Sequence, residues 1–345
     1  MKYKISIILP IYNVDKFLPR CMESLLSQTL DDIEIIMVDD ESPDSCPQLC
    51  DEYEYKYQNI KVIHKKNDGL GYARNSGLTI CEGEYVAFVD SDDFVDIHMF
   101  EDLYNYAKAN SLDACFCGYH IWKDNRHDVL KQEKYDYEVC YGKHAVRKVL
   151  LDMVGSKPES HSDVTVLSSM WKGIYSLEVI KNNNLQFVSE RQYIAEDIIF
   201  HCDFMPCCIK VGFVPGCYYY YCDNGTSLTR AYKSDRFEKE LFLFKTIGQK
   251  LKAAGFSEVE YKNRLDRYLL LKIRSCISQQ YAYIGIYGYK RMKNAVDFIV
   301  NNREVREFCK RYPYKKLDIK HWLFFIMVKY KLVHILFFLN KIQKL

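Results

Sequence analysis

None of the 14 cysteines is paired as CxxC; the nearest neighbours are Cys46 and Cys50, Cys115 and Cys117, and Cys207 and Cys208. That spacing argues against a structural zinc site, and the scatter lacks the density of a disulfide scaffold. Fourteen reduced thiols imply a reducing compartment, so a cytoplasmic protein is expected. The apolar run from Met1 to Pro10 has no small-residue cleavage site, which makes it a strand rather than a signal peptide. No internal repeat is visible. No stretch is apolar enough for a convincing membrane span, because Lys329, Lys331 and His334 divide the two apolar runs near the end, Trp322 to Val328 and Ile335 to Leu339.

Net charge is also scarce, at +2, but it is unevenly spread. From Ile286 to Leu345 there are 14 Lys and Arg against 4 Asp and Glu, so the first 285 residues carry −8. An acidic body with a basic end suits an anionic surface or an acidic partner. No nucleic-acid-binding signature accompanies the charge, which argues against nucleic acid. Aromatics are plentiful, with 29 Tyr and 19 Phe. They suit stacking on bases and sugar rings as well as filling a core.

The first hundred or so residues alternate strand and helix. Strands are expected over Ile5–Leu9, Ile33–Val38, Ile60–His64 and Tyr85–Val89, and helices over Phe17–Leu30, Pro47–Tyr57 and Gly71–Ile80. Such repeats predict an α/β fold, a mostly parallel sheet flanked by helices. The pattern between Leu112 and Tyr221 gives no clear topology, and from Lys233 onward it is helical. A boundary near Tyr232 divides a domain of residues 1–232 from a smaller helical region, 233–345.

In open α/β sheets the ligand lies beyond the carboxyl ends of the strands. Pro10, Asp40 and Asp90 fall there and should meet in one crevice. Asp90 and Asp92, one residue apart at a strand end, project to the same side and suit Mn²⁺ or Mg²⁺ together with phosphate oxygens. A solvated turn is the plain alternative for the run Asp90-Ser91-Asp92-Asp93. Asp40 could accept a hydrogen bond from a base or a ribose. Tyr12 could stack on a base or simply pack.

The ordered set Ser6-Ile7-Ile8-Leu9-Pro10-Ile11-Tyr12-Asn13, Val38-Asp39-Asp40 with Ser42, Ala73-Arg74-Asn75 with Gly77, and Gly83-Glu84-Tyr85 leading to Asp90-Ser91-Asp92-Asp93 resembles glycosyltransferase family 2. A looser match runs through Met170-Trp171-Lys172-Gly173 and Ala195-Glu196-Asp197 to Tyr219-Tyr220-Tyr221. The resemblance implies a GT-A fold and inverting transfer of a sugar from a nucleotide-sugar, a UDP-sugar in the first instance, to a glycan or lipid-linked glycan acceptor in cell-surface polysaccharide synthesis. It implies nucleotide binding by Pro10, Tyr12, Asp40, Arg74, Asp90 and Ser91, metal ligation by Asp90 and Asp92, and Asp197 as general base. Glu196 either orients the acceptor or favours a helix N-terminus. One departure is Cys222, where relatives commonly carry Arg; Arg230 is a candidate substitute. A catalytically silent nucleotide-sugar-binding protein would be expected to lose Asp92 or Asp197, and both are present. A nucleotidyltransferase would be expected to carry a Gly- and Lys/Arg-rich loop where Ile11-Tyr12-Asn13-Val14 stands.

The tail from Lys315 to Leu345 has 7 Lys against 1 Asp. On a helical wheel Lys316, Lys320, Lys331, His334 and Lys341 gather roughly on one side, with Phe324, Met327 and Phe338 intruding, the pattern of a helix lying at the inner face of a membrane. Packing on the catalytic domain and contact with a second copy are the alternatives, and the oligomeric state is not indicated.

Overall fold

The computed structural model describes residues 2–123, 128–133, 138–224 and 232–342. Arg230 therefore lies outside the described residues. In chain order the first part contains β1 (Tyr3–Ile11), α1 (Leu18–Leu26), β2 (Ile33–Asp39), α2 (Cys46–Lys56), β3 (Ile60–His64), α3 (Leu70–Ile80), β4 (Gly83–Phe88), β5 (Phe94–Val95) and α4 (Met99–Asn110). It continues with β6 (Ala114–Lys123), β7 (Asp128–Glu133), β8 (Val139–Tyr141), α5 (Lys143–Val154), β9 (Gly173–Ser176), α6 (Leu177–Asn182), α7 (Glu190–Tyr193), α8 (Glu196–Phe204) and β10 (Lys210–Cys222). Only helices follow: α9 (Arg236–Ala253), α10 (Glu258–Ala282), α11 (Ile284–Tyr287), α12 (Tyr289–Asn301), α13 (Arg303–Arg311), α14 (Ile319–Lys329) and α15 (Val333–Ile342).

The strands make one sheet in the order β3-β2-β1-β4-β9-β6-β10-β5, with β7 beside β6 and β8 beside β10. The four strands read from sequence are parallel neighbours, with Pro10 opposite Val38 and Ile8 opposite Phe88. The sheet becomes mixed where β9 inserts antiparallel between β4 and β6. β1 and β2 are almost wholly buried, as strands covered by helices on both faces must be. Two polar residues inside them are matched: Ser6 Oγ donates to Glu34 and accepts from the Gly83 N–H at 2.8 Å, and Lys61 reaches Glu34 at 2.9 Å. Gly77 lets α3 lie close on β1, since a Cβ there would meet the Ile8 side chain at 2.6 Å.

Helix α1 stops at Leu26, short of the expected Leu30. Gln28 Nε2 donates to the Asp96 carbonyl at 2.8 Å and the Thr29 N–H to the Ile97 carbonyl at 3.0 Å, which draws the chain out of the helix. All 14 cysteines are free thiols, twelve of them buried.

Two compact units form. One comprises Met1–Val149 and Ser168–Thr229, and contains the sheet. The other comprises Leu150–Leu167 and Arg230–Leu345, and is helical. Within the second unit Arg264 pairs with Asp152 at 2.8 Å and Arg267 with Asp163 at 3.1 Å, so buried ion pairs tie the short segment to α10. Among the described residues no helix is long and apolar enough to cross a membrane.

Candidate active site

The carboxyl ends of β1, β2 and β4 share one edge. The Asp40 N–H donates to the Ile11 carbonyl at 2.9 Å and the Val89 N–H to the Ile8 carbonyl at 3.1 Å. Ser91 Oγ donates to the Pro10 carbonyl at 2.7 Å, closing the acidic loop onto the end of β1. Pro10, Asp40, Asp90 and Ser91 are thus brought together. Tyr12, just past β1, is half-exposed. Asn13 and Glu41, immediately beyond β1 and the β2 end, adopt left-handed backbone conformations with φ of 56° and 60°. Strained positions of this kind gather at functional sites, and Glu41 tolerates the conformation less easily than Asn13.

Asp40 is buried, and its carboxylate is held from one side. Oδ1 accepts from Lys65 Nζ at 2.6 Å and the Asp68 N–H at 3.1 Å, and Oδ2 accepts from the Gly69 N–H at 2.8 Å. Gly69 has φ of 99°, which favours glycine and lets the loop turn its N–H toward Asp40. A carboxylate has about four acceptor positions. Three protein donors leave capacity for one more.

Arg74, on α3, is the centre of the site and is almost completely buried. Its Nη1 lies 2.7 Å from Glu196 Oε1 and 2.6 Å from Asp197 Oδ1, and its Nη2 lies 3.3 Å from Asp90 Oδ1. The guanidinium also lies over the Phe187 ring, 5.2 Å from its centroid. Burial alone would disfavour its charge, but Asp197, Glu196 and Asp90 outweigh it and hold the proton. Glu196 and Asp197 begin α8, where acids favour the helix dipole. Asp197 Oδ2 also accepts from the Met170 N–H at 3.2 Å. Burial, and then the charge of Asp197, push Glu196 up to about 8, against the pull of Arg74.

Asp90 is pushed up to about 6, by burial first and then by Asp92 and Asp197, although Arg74 opposes this. One guanidinium facing three carboxylates leaves negative charge beside Asp90 that a hard divalent cation would offset. Among the described residues no group of three or more His, Cys, Asp or Glu could hold a metal. The rest of such a shell would come from phosphate and water.

Several residues without a role in the sequence reading prove to shape this loop. Arg20 Nη2, from α1, donates to the Asp92 carbonyl at 3.0 Å and to Cys222 Sγ at 3.1 Å, and its guanidinium lies 5.0 Å from the Phe94 ring centroid. Asn224 Nδ2 lies 3.3 Å from both the Asp92 carbonyl and Asp92 Oδ2. Asp93 accepts from Tyr219 Oη at 2.7 Å and the Cys222 N–H at 2.7 Å, and Tyr219 Oη accepts from the Asp90 N–H at 3.2 Å. The acidic run and the Tyr-rich run were both visible in sequence. Their pairing was not, because more than a hundred residues separate them.

The profile of glycosyl transferase family 2 matches residues 6–156. The uncharacterized glycosyltransferase EpsJ of Bacillus subtilis (strain 168) is 33% identical over 226 residues, 65% of this chain and 62% of EpsJ, so the match spans under two thirds of that relative. The uncharacterized glycosyltransferase YibD of Escherichia coli (strain K12) is 26% identical over 326 residues, 91% of this chain and 86% of YibD. Among solved structures, S. aureus TarS 1–349 in complex with UDP-GlcNAc shares the fold with a TM-score of 0.66 at 20% identity, covering 99% of this chain and 91% of TarS 1–349. Residues 6–156 carry the pattern of glycosyl transferase family 2, and the relatives the chain resembles are glycosyltransferases.

Proposed function

We propose that this chain transfers a sugar from a UDP-sugar to a hydroxyl of a glycan or lipid-linked glycan acceptor, with inversion at the anomeric carbon, in cell-surface polysaccharide synthesis. The observation that carries this reading is the Arg74 cluster. It joins a strand-end carboxylate suited to a metal and diphosphate, Asp90, to a carboxylate suited to proton abstraction, Asp197.

In this reading the base lies at the end of β1 and β2. Tyr12 stacks on it, and Asp40 uses its remaining acceptor position for a ring N–H, which uracil supplies. Ser91 keeps the acidic loop against Pro10 and so shapes the pocket wall. Asp90 and Asp92 are the residues that would hold Mn²⁺ or Mg²⁺, which when bound supplies Lewis-acid stabilisation of the leaving diphosphate. Asp197 accepts the proton of the acceptor hydroxyl as that oxygen attacks the anomeric carbon. Attack opposite the leaving diphosphate inverts the centre and needs no covalent intermediate. Arg74 fixes the Asp197 carboxylate through Oδ1 while the Met170 N–H holds Oδ2, so the base is oriented before the acceptor arrives. Glu196, held by Arg74 at 2.7 Å beside Asp197, is placed to orient the acceptor hydroxyl.

The test is incubation with a panel of sugar nucleotides and Mn²⁺, following nucleotide release. A UDP-sugar should turn over, and more slowly once the metal is chelated. Release from none of the panel, with or without an acceptor, would remove this reading.

A further inference from the structure

The basic tail folds into the helical unit, yet one side of it stays uncovered. The N-cap Asp318 accepts from the N–H groups of Lys320 and His321, and starts α14. His321 turns inward, bonded to Asp318 and 3.2 Å from Asp163. Phe325 stacks on Tyr314 with centroids 5.0 Å apart, and Arg306 donates to the Val328 and Lys329 carbonyls at 3.2 Å each. These contacts fix the rotation of α14 about its axis.

That rotation leaves Ile319, Trp322, Leu323 and Tyr330 toward solvent, at 78%, 36%, 47% and 62% exposure. Their spacing of three, one and seven residues places them on one helical stripe. Leu332 and Ile335 continue the exposed apolar surface into α15. Lys315, Lys316, Lys320 and Lys331 are exposed around it. A hydrogen bond of 2.7 Å between Tyr289 Oη and His334 Nδ1 brings the exposed start of α12, with Lys290 and Arg291, beside α15. The arrangement differs from the wheel read from sequence: the side left open is apolar and aromatic, with lysines at its border. Asp318, the one acid in the tail, is already engaged by His321.

An apolar stripe containing Trp and Tyr, edged by lysine, complements a boundary between acyl chains and anionic headgroups. We infer that α14 and the start of α15 form a surface that docks the protein on an anionic lipid bilayer, with Trp322 and Leu323 entering the headgroup boundary. This docking is independent of the transfer chemistry, because every residue named here lies in the helical unit.

The test uses the full chain and vesicles of phosphatidylglycerol or phosphatidylcholine. The intact protein should sediment with phosphatidylglycerol vesicles and far less with phosphatidylcholine. Trp322→Ser with Leu323→Ser should lower the partition coefficient by roughly tenfold or more, and Lys316→Gln with Lys320→Gln by roughly tenfold. Because these side chains are exposed, circular dichroism should be unchanged. Trp322→Phe should keep binding while removing the emission quenched by brominated lipid, whereas Trp171, buried in the other unit, should not be quenched. No sedimentation with anionic vesicles, binding by both double variants equal to the intact protein's, or dimerisation lost in the apolar variant without vesicle binding would each overturn the inference.

Discussion

Arg74 Nη1 lies 2.6 Å from Asp197 Oδ1, while Nη2 of the same guanidinium lies 3.3 Å from Asp90 Oδ1. One fully buried cation therefore sets the spacing between the carboxylate assigned to the metal and diphosphate and the carboxylate assigned to the proton. Replacing it by Lys keeps the charge but loses the planar fork that reaches both. Arg74→Lys is expected to fold and to lose roughly 10²-fold or more in turnover, in keeping with small displacements of a positioned group. Arg74→Ala leaves buried carboxylates unpaired and should cost about 3–5 kcal/mol of stability. Turnover and chemical denaturation of both variants check this.

Asp197→Asn removes the proton acceptor with little change of shape. The expected outcome is a turnover lower by roughly 10²–10⁴-fold with donor affinity nearly unchanged. Calorimetry of UDP binding beside a turnover assay separates the two. A parallel loss of both would make Asp197 a donor ligand or a structural residue.

Arg20→Ala frees the Asp92 carbonyl and the Cys222 thiol from their shared donor. The acidic loop should then hold its ligands less well, raising the Mn²⁺ concentration for half-maximal turnover by roughly tenfold or more, the scale of losing a hydrogen bond that orients a metal-binding carboxylate. A metal titration reads this directly, and turnover at saturating metal should recover most of its value.

Stability should depend on pH through His64, whose ring bonds Asp39 at 2.9 Å and Asp51 at 3.0 Å. Those hydrogen bonds, Asp39 first, hold the imidazolium and raise its pKa above 6.5. A raised folded-state pKa adds stability that is fully present below 6.5 and lost as pH rises through the folded value. Denaturation of His64→Ala across pH 5 to 8.5 should therefore show its greatest deficit at the acid end, shrinking toward the alkaline end. A deficit independent of pH would mean that packing, not protonation, accounts for the effect.

The parallel strands were legible in the sequence because apolar runs such as Ile33–Val38 are buried on both faces, and each ends at a residue with obvious chemistry. The antiparallel insertion of β9 was not legible, since Gly173–Ser176 is only four residues long and has no period to read. Asp90, Asp92 and Asp197 could be picked out by residue type and position in the motif. The bridge that Arg74 makes among them could not, because it depends on how α3 and α8 pack, 122 residues apart. The tail shows a third kind of limit. Charge marked it as unusual, but only the inward contacts of His321 and Phe325 decide which side of α14 stays open.

The most direct measurement is a Mn²⁺ titration of nucleotide release from the preferred UDP-sugar, run on the intact protein and on Asp92→Asn. An amide is a weaker ligand than a carboxylate for a hard cation. Saturable activation of the intact protein is expected, with no metal-dependent turnover in Asp92→Asn at any concentration while its melting temperature is retained. Turnover of Asp92→Asn equal to that of the intact protein, with the same metal dependence, would contradict this expectation.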